Sequence, residues 1–202
     1  MEHTNNIILR GAMVEFPTFS HENHGRQFYR FSLEVERLSG AIDILPVVIE
    51  KSLLDRVDPT VGSMIAVTGQ IRSYNQRKDG TRHLLIFVYA NDIAIEDGKP
   101  DNQVCLAGTL CREPNLRRTP LGREICDIML AVRRPFHRSD YLPCILWGRT
   151  AQILSNCHTG DIVSIQGRLQ SRIYTKLTEE GPIEHTAYEI SALTAQQELE
   201  EI

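Results

Sequence analysis

The residues best placed to do chemistry are rings and guanidinium groups between positions 112 and 174. The stretch Tyr141-Leu-Pro-Cys-Ile-Leu-Trp-Gly-Arg149 alternates as a half-buried β-strand does. Tyr141, Pro143, Ile145 and Trp147 share one face, and Leu142, Cys144 and Leu146 share the other, where they suit a core. Two large rings on the face away from the core suit stacking on unpaired bases, at about 1–3 kcal/mol per base. Just upstream, Arg133-Arg-Pro-Phe-His-Arg138 surrounds Phe136 with Arg133, Arg134 and Arg138. Such a loop can fold over a nucleic-acid strand, with guanidinium groups on phosphates or stacked on bases. Tyr174 beside Arg172 extends the track, and Arg168 and Arg172 flank Gln170 on one strand face. Arg117, Arg118 and Arg123 flank the turn Thr119-Pro-Leu-Gly122, and Arg149 opens a short helix; all four are candidates for phosphate contact. Stacking accepts any base, so no sequence-specific readout is expected.

Other chemistries find little support. His21-Glu-Asn-His24 is a His pair beside Gly25 with no third ligand nearby, so no metal is expected. The five cysteines, Cys105, Cys111, Cys126, Cys144 and Cys157, are odd in number and lack C-x-x-C spacing, which argues against a disulfide framework or zinc site. No nucleophile–base pair, phosphate-cradling glycine loop or carboxylate dyad stands out, so the reading is not an enzyme, with no catalytic residue and no cofactor. The net charge of −4 argues against coating nucleic acid by overall charge. Charge is local instead: from Arg112 to Arg149 there are eight arginines against four acids. No apolar run approaches the ~20 residues of a membrane-spanning helix, so no membrane partner is expected. The start, Met-Glu-His-Thr-Asn-Asn, lacks a secretory pattern, so a cytoplasmic protein is expected.

The elements that must position these residues come as a repeat. Asn5-Asn-Ile-Ile-Leu-Arg-Gly11 matches Asn102-Gln-Val-Cys-Leu-Ala-Gly108, 97 positions later, and Leu45-Pro46 falls on Leu142-Pro143 at the same offset. After one residue of slippage, Thr68-Gly-Gln-Ile-Arg-Ser73 meets Gln166-Gly-Arg-Leu-Gln-Ser171. A polar linker, Glu96-Asp-Gly-Lys-Pro-Asp101, separates a unit at 1–97 from one at 101–195. Strands are expected over 5–14, 26–37, 43–50, 63–74 and 82–95, then over 102–111, 123–133, 141–147, 161–174 and 184–194. Helices are expected near Ser52–Val57 and Arg149–Asn156. Asp79-Gly80 reads as a hairpin turn and Glu180-Gly-Pro182 as a strand end. Five strands with a helix between the third and fourth is the order of an OB-fold, a Greek-key barrel. The fold class is therefore all-β, with two tandem OB-folds that pack on each other and cover strand edges.

The second unit resembles the bacterial single-stranded DNA-binding protein family. The resemblance runs through Leu106-Ala-Gly-Thr-Leu110, Pro114-Asn-Leu-Arg117, Thr119-Pro-Leu-Gly122, Leu130-Ala-Val132, Ile145-Leu-Trp-Gly-Arg149, Gly160-Asp161, Gln166-Gly-Arg-Leu-Gln170, Arg172 and Tyr174. It implies four base-stacking positions, held here by Phe136, Tyr141, Trp147 and Tyr174. The corresponding places in the first unit hold Ser39, Ile44, Glu50 and Gln76, with Tyr74 nearby. The first unit, with about ten Lys/Arg against thirteen Asp/Glu up to Gly98, therefore reads as a degenerate barrel kept mainly for packing. Residual contact would pass through Arg72, Arg77, Lys78 and Arg82. The chain stops near the last strand, without the long acidic-tipped tail usual in the family, and in this it is also similar to primosomal replication protein N. Family barrels assemble in fours, which implies a homodimer of this two-barrel chain. The expected partner is single-stranded DNA, in replication, recombination or repair, with replication or restart proteins as further partners. Two alternatives stay open: a primosome or mobile-element interaction module with secondary DNA binding, and single-stranded RNA binding.

Overall fold

A computed structural model describes residues 4–78, 80–178 and 181–198. The elements in chain order are β1 (Asn5–Met13), β2 (Thr18–Asn23), β3 (Arg26–Glu36), β4 (Ile42–Glu50), α1 (Lys51–Leu54), β5 (Met64–Lys78) and β6 (Thr81–Ile95). They repeat as β7 (Asp101–Leu110), β8 (Asn115–Arg118), β9 (Glu124–Arg134), β10 (Arg138–Trp147), α2 (Gly148–Leu154), β11 (Ile162–Thr178) and β12 (Gly181–Gln197). Hydrogen bonding closes β1-β3-β4-β6-β5 back onto β1, and β7-β9-β10-β12-β11 back onto β7. The pairings β4–β6 and β10–β12 are parallel, and the other pairings are antiparallel. These are two tandem OB-folds, with each helix between the third and fourth barrel strands. Alternation fills them: Leu9, Leu33, Leu45, Ile65 and Val88 in the first barrel, and Leu106, Leu130, Leu142, Leu146 and Leu169 in the second, are wholly buried.

The last hairpin of each barrel demands a close backbone approach at a glycine. A Cβ on Gly69 would stand 2.2 Å from the Tyr89 carbonyl oxygen, and one on Gly167 2.2 Å from that of Ser191. Both glycines lie beside a β-bulge, where the strand bends to complete the cylinder.

The barrels meet along β1 and β7, which pair antiparallel from Asn5↔Leu106 to Arg10↔Asp101. Ile7 pairs with Val104, its own equivalent in the repeat, so a local two-fold axis passes through that pair. Asn5 donates to the Ile71 carbonyl and accepts from the Ile71 N–H, and Asn102 does the same with Leu169. The linker is held down by Arg10, which bonds the Glu96 carboxylate and the Lys99 carbonyl.

The structure departs from the sequence expectation in three ways. Short ribbons β2 and β8 extend each sheet. The last hairpin of each barrel forms an arm reaching Lys78 and Thr178, beyond the expected ends at 74 and 174. Both helices are shorter than expected. Asp79 and Glu180, of the two turn signals, lie outside the described residues, as do the side chains of Lys78 and Arg82.

Candidate nucleic-acid interface

Strand β10 places its rings by parity. Leu142, Cys144 and Leu146 point into the second barrel, while Tyr141 and Trp147 point outward and keep 45% and 38% of their surface. Pro143 and the buried Ile145 lie between them on the outer side. Trp147 donates its indole N–H to Ser191 Oγ at 3.3 Å, which sets the ring against β12. The chain then turns at Gly148, whose φ of +53° a side chain would resist, into α2 with Arg149 exposed.

Phe136 tops the β9–β10 hairpin and is 91% exposed. Phe136 and His137 both adopt left-handed backbone, with φ of 62° and 55°. Each such non-glycine residue costs on the order of 1 kcal/mol. The first barrel meets the same turn with Gly40, at φ 81°. A strained turn that holds a bare phenyl ring in solvent gains nothing for folding.

Tyr174 stacks on His185, centroids 5.5 Å apart, beneath the Arg172 guanidinium at 5.7 Å. Arg172 also lies 3.6 Å from Glu189, which accepts from buried Gln170 at 2.9 Å. Arg168, Gln170 and Arg172 do share one face of β11. Arg112, Arg117, Pro143 and Arg172 line a groove together with Glu113, Asp127 and Glu189, so its charge is balanced. Arg117 pairs with Asp127 and Arg118 with Glu124. Arg123, Arg138 and Arg149 are exposed and form no ion pair among the described residues, and Arg133 is exposed on the Phe136 hairpin. The surface is thus aromatic at its centre and cationic at its rim.

Arg134 differs from the other arginines of this hairpin: it lies 3.1 Å from Asp140, which is wholly buried. Asp140 is shared with Arg72 of the first barrel at 3.2 Å and accepts the Ser73 backbone N–H at 2.7 Å. The Tyr141 N–H in turn donates to Ser73 Oγ at 2.7 Å, so the first barrel fixes the foot of the ring-bearing strand. Across the two-fold, buried Asp43 accepts from the Ser171 N–H and hydroxyl and from both prongs of Arg37. Burial pushes the Asp140 carboxyl above its usual range, and Ser73, Arg134 and Arg72 offset this only in part. Burial acts on Asp43 too, but Arg37 and Ser171 outweigh it and hold that carboxyl below the usual range. This seam was missed in the sequence. Its signal was present: Arg37/Arg134, Asp43/Asp140 and Ser73/Ser171 are identical at the repeat offset.

In the first barrel the equivalent outer positions are Ser39, a half-covered Ile44 at 39% exposure, Glu50 beside Arg26, and Gln76. Tyr74 is 61% exposed on the arm. Arg72, offered for residual contact, is committed to Asp140 and Gln70. Among the described residues no group of three His, Cys, Asp or Glu could hold a metal ion, and no helix is long and apolar enough to cross a membrane. Burial pushes the Cys126 thiol up to about 11, which keeps it protonated and inert.

The single-strand binding protein family matches residues 101–197. The single-stranded DNA-binding protein B of Bacillus subtilis is 39% identical over 87 residues, 40% of this chain and 75% of that protein. The single-stranded DNA-binding protein of Oceanobacillus iheyensis is 38% identical over 78 residues, 35% of this chain and 48% of that one. The chain thus spans three quarters of the first relative's length and about half of the second's. The wild-type single-stranded DNA binding protein from Thermus aquaticus shares the fold over 100% of this chain and 96% of its own, with a TM-score of 0.82 at 22% identity.

Proposed function

The chain belongs to the single-strand binding protein family, and from that premise we propose that it binds single-stranded DNA without sequence preference, in replication, recombination or repair. The observation that carries this is the exposure of Tyr141 and Trp147 on the strand whose alternate residues fill the core. Unpaired bases stack on Trp147, Tyr141, Phe136 and Tyr174. Arg123, Arg133, Arg138 and Arg149 meet phosphates along the rim, and Arg117, Arg118, Arg168 and Arg172 join them by exchanging carboxylate or side-chain partners for phosphate. Arg134 has no part in this, because Asp140 holds it. The unit at 101–195 bears the binding face, and the unit at 1–97 positions it through Ser73 and Arg72. The work is binding in the cytoplasm rather than catalysis.

The outer face around the two-fold carries Ile8 and Leu193, 46% and 65% exposed, with Cys105 between the barrels. It suits a second copy of the chain, giving four barrels with two full ring sets. Light scattering should give twice the chain mass, and a monomer at micromolar concentration would remove the dimer.

The binding itself is tested by titrating oligo-dT while following Trp147 emission. Quenching that weakens with salt is expected, with a slope of about −0.7 per phosphate neutralised. No quenching and no mobility shift at low salt would point to a protein-interaction module instead. Tighter binding of oligo-rU than oligo-dT would make RNA the ligand.

A further inference from the structure

The first barrel holds rings that the repeat does not align with those of the second. His21 on β2 lies flat on Phe28 of β3, with centroids 4.8 Å apart and planes within 9°. Phe28, which is buried, tilts against Tyr89 of β6 at 6.0 Å. The Arg72 guanidinium of β5 sits 5.6 Å from the Tyr89 ring centre and reaches on to Asp140 at 3.2 Å. Asp140 directly precedes Tyr141. A chain of side-chain contacts, with buried Phe28 beneath His21, therefore links β2 through Tyr89 and Arg72 to the foot of the ring-bearing strand.

The local backbone is bent to make this stack. Phe19 pairs with Tyr29 and His21 with Phe28, and the register shifts between them at Ser20. Plain alternation would turn residues 19 and 21 to the same side. The bulge sends His21 to the other side, over Phe28, and bulges of this kind re-aim side chains at functional edges. Ser20 Oγ lies 3.0 Å from His21 Nδ1 and fixes the ring. All six residues of β2 are exposed, so the outer imidazole face is open to solvent and the ribbon contributes little to the core. The equivalents of His21 and Phe28 at the repeat offset are Arg118 and Ile125, so the stack belongs to the first barrel alone.

We propose that the His21–Phe28 stack is a second nucleobase platform, onto which an unpaired strand leaving Tyr141 continues past Arg72 and Tyr89. The proposal rests on the DNA-binding reading of the second barrel and lengthens its path. Glu50 faces Phe28 across β3–β4, and Glu22 adjoins His21. Arg26, 3.4 Å from Glu50, offsets one of these charges. Phosphate attraction is therefore weak here, and stacking carries the contact.

Two variants test it with oligo-dT of roughly 12 nucleotides, enough for one barrel, and roughly 35, enough for both. His21→Ala is expected to bind the long oligomer about fivefold or more weakly, at the low end of one lost stacked base, and to leave the short one unchanged. The salt dependence should not move. His21→Trp in a Trp147→Phe background puts an indole on Phe28, and its emission should be quenched by the long oligomer. Unchanged affinity of His21→Ala for the long oligomer, or an unquenched indole at position 21 while native Trp147 is quenched, overturns the platform and leaves the second-barrel reading standing. Failure of native Trp147 to respond removes both.

Discussion

Replacing Asp43 by asparagine tests the seam where it is best defined. The carboxylate accepts from Arg37 Nε and Nη2 at 2.6 Å each, from the Ser171 N–H at 2.7 Å and from its hydroxyl at 2.8 Å. An amide keeps one acceptor oxygen, brings its own N–H donors toward the guanidinium, and carries no charge. Arg37, with its side chain 21% exposed, would lose the Oδ2 acceptor of its Nε and the opposing charge, keeping at most the retained amide oxygen and the Ser171 carbonyl at 3.0 Å. Removing one member of a buried pair costs about 3–5 kcal/mol, and the water still reaching Arg37 sets the expectation near 3. For a chain of this size that lowers Tm by about 6–12 °C. The assay is urea unfolding followed by far-UV circular dichroism, which sees both barrels, and by Trp147 emission, which sees the second. The two signals should coincide in the parent and separate in the variant, because the seam couples the barrels. The sign with pH also follows. Asp43 has a depressed folded pKa, so its contribution is complete above the usual carboxylate range and is lost as pH falls through the folded value. The gap between parent and variant should therefore close in acid. A variant within about 0.5 kcal/mol of the parent at neutral pH, or a gap as wide in acid as at pH 7, would refute the account, since ordinary surface changes lie in that range.

Trp147→Ala should weaken oligo-dT binding by about 1–3 kcal/mol, measured by mobility shift, whereas Tyr74→Ala should change it far less; equal losses would mean the first barrel's arm binds as strongly. Phe136→Gly relieves a left-handed phenylalanine, so it should raise unfolding stability by up to about 1 kcal/mol while weakening binding. A variant that binds normally would show Phe136 to be a plain turn residue. Arg138→Ala should lower the salt slope of binding by about 0.7 and leave stability alone. Arg134→Ala should do the reverse, destabilising the chain because buried Asp140 loses a partner, with no change of slope.

The barrel strands were legible because their alternation is strong. Phe31, Leu33 and Val35, or Ile128, Leu130 and Val132, repeat every second residue and are all buried. Ribbons β2 and β8 were not legible, since every residue in them is exposed and no apolar period marks them. The arms extend beyond the barrel wall for the same reason: after Tyr174, Thr175 and Lys176 pair with β12 but cover no core. Tyr141 and Trp147 could be placed because parity fixes their face. The pairing of Arg134 with Asp140 was not legible, because Asp140 comes within reach of that long side chain only when the hairpin closes.

The two kinds of position in the repeat answer to different constraints. A contact across a local two-fold needs each half to supply both sides of it, so a change in one copy leaves a buried group of the other without a partner. Asp43/Asp140 and Ser73/Ser171, with Arg37/Arg134 bracing the carboxylates, meet that demand by being identical. The outer face proposed to meet a flexible strand has no such constraint, and there the halves part: Ser39 against Phe136, Ile44 against Tyr141, Glu50 against Trp147. The seam is nevertheless uneven in strength. Arg37 grips Asp43 with two prongs, whereas Asp140 is divided between Arg134 and Arg72, and the two carboxyls shift in opposite directions. Asp140 has a raised folded pKa, so protonation relieves its burial, and what it contributes is present at low pH and falls as pH rises through that value. The less well satisfied side of the seam is the one that adjoins Tyr141.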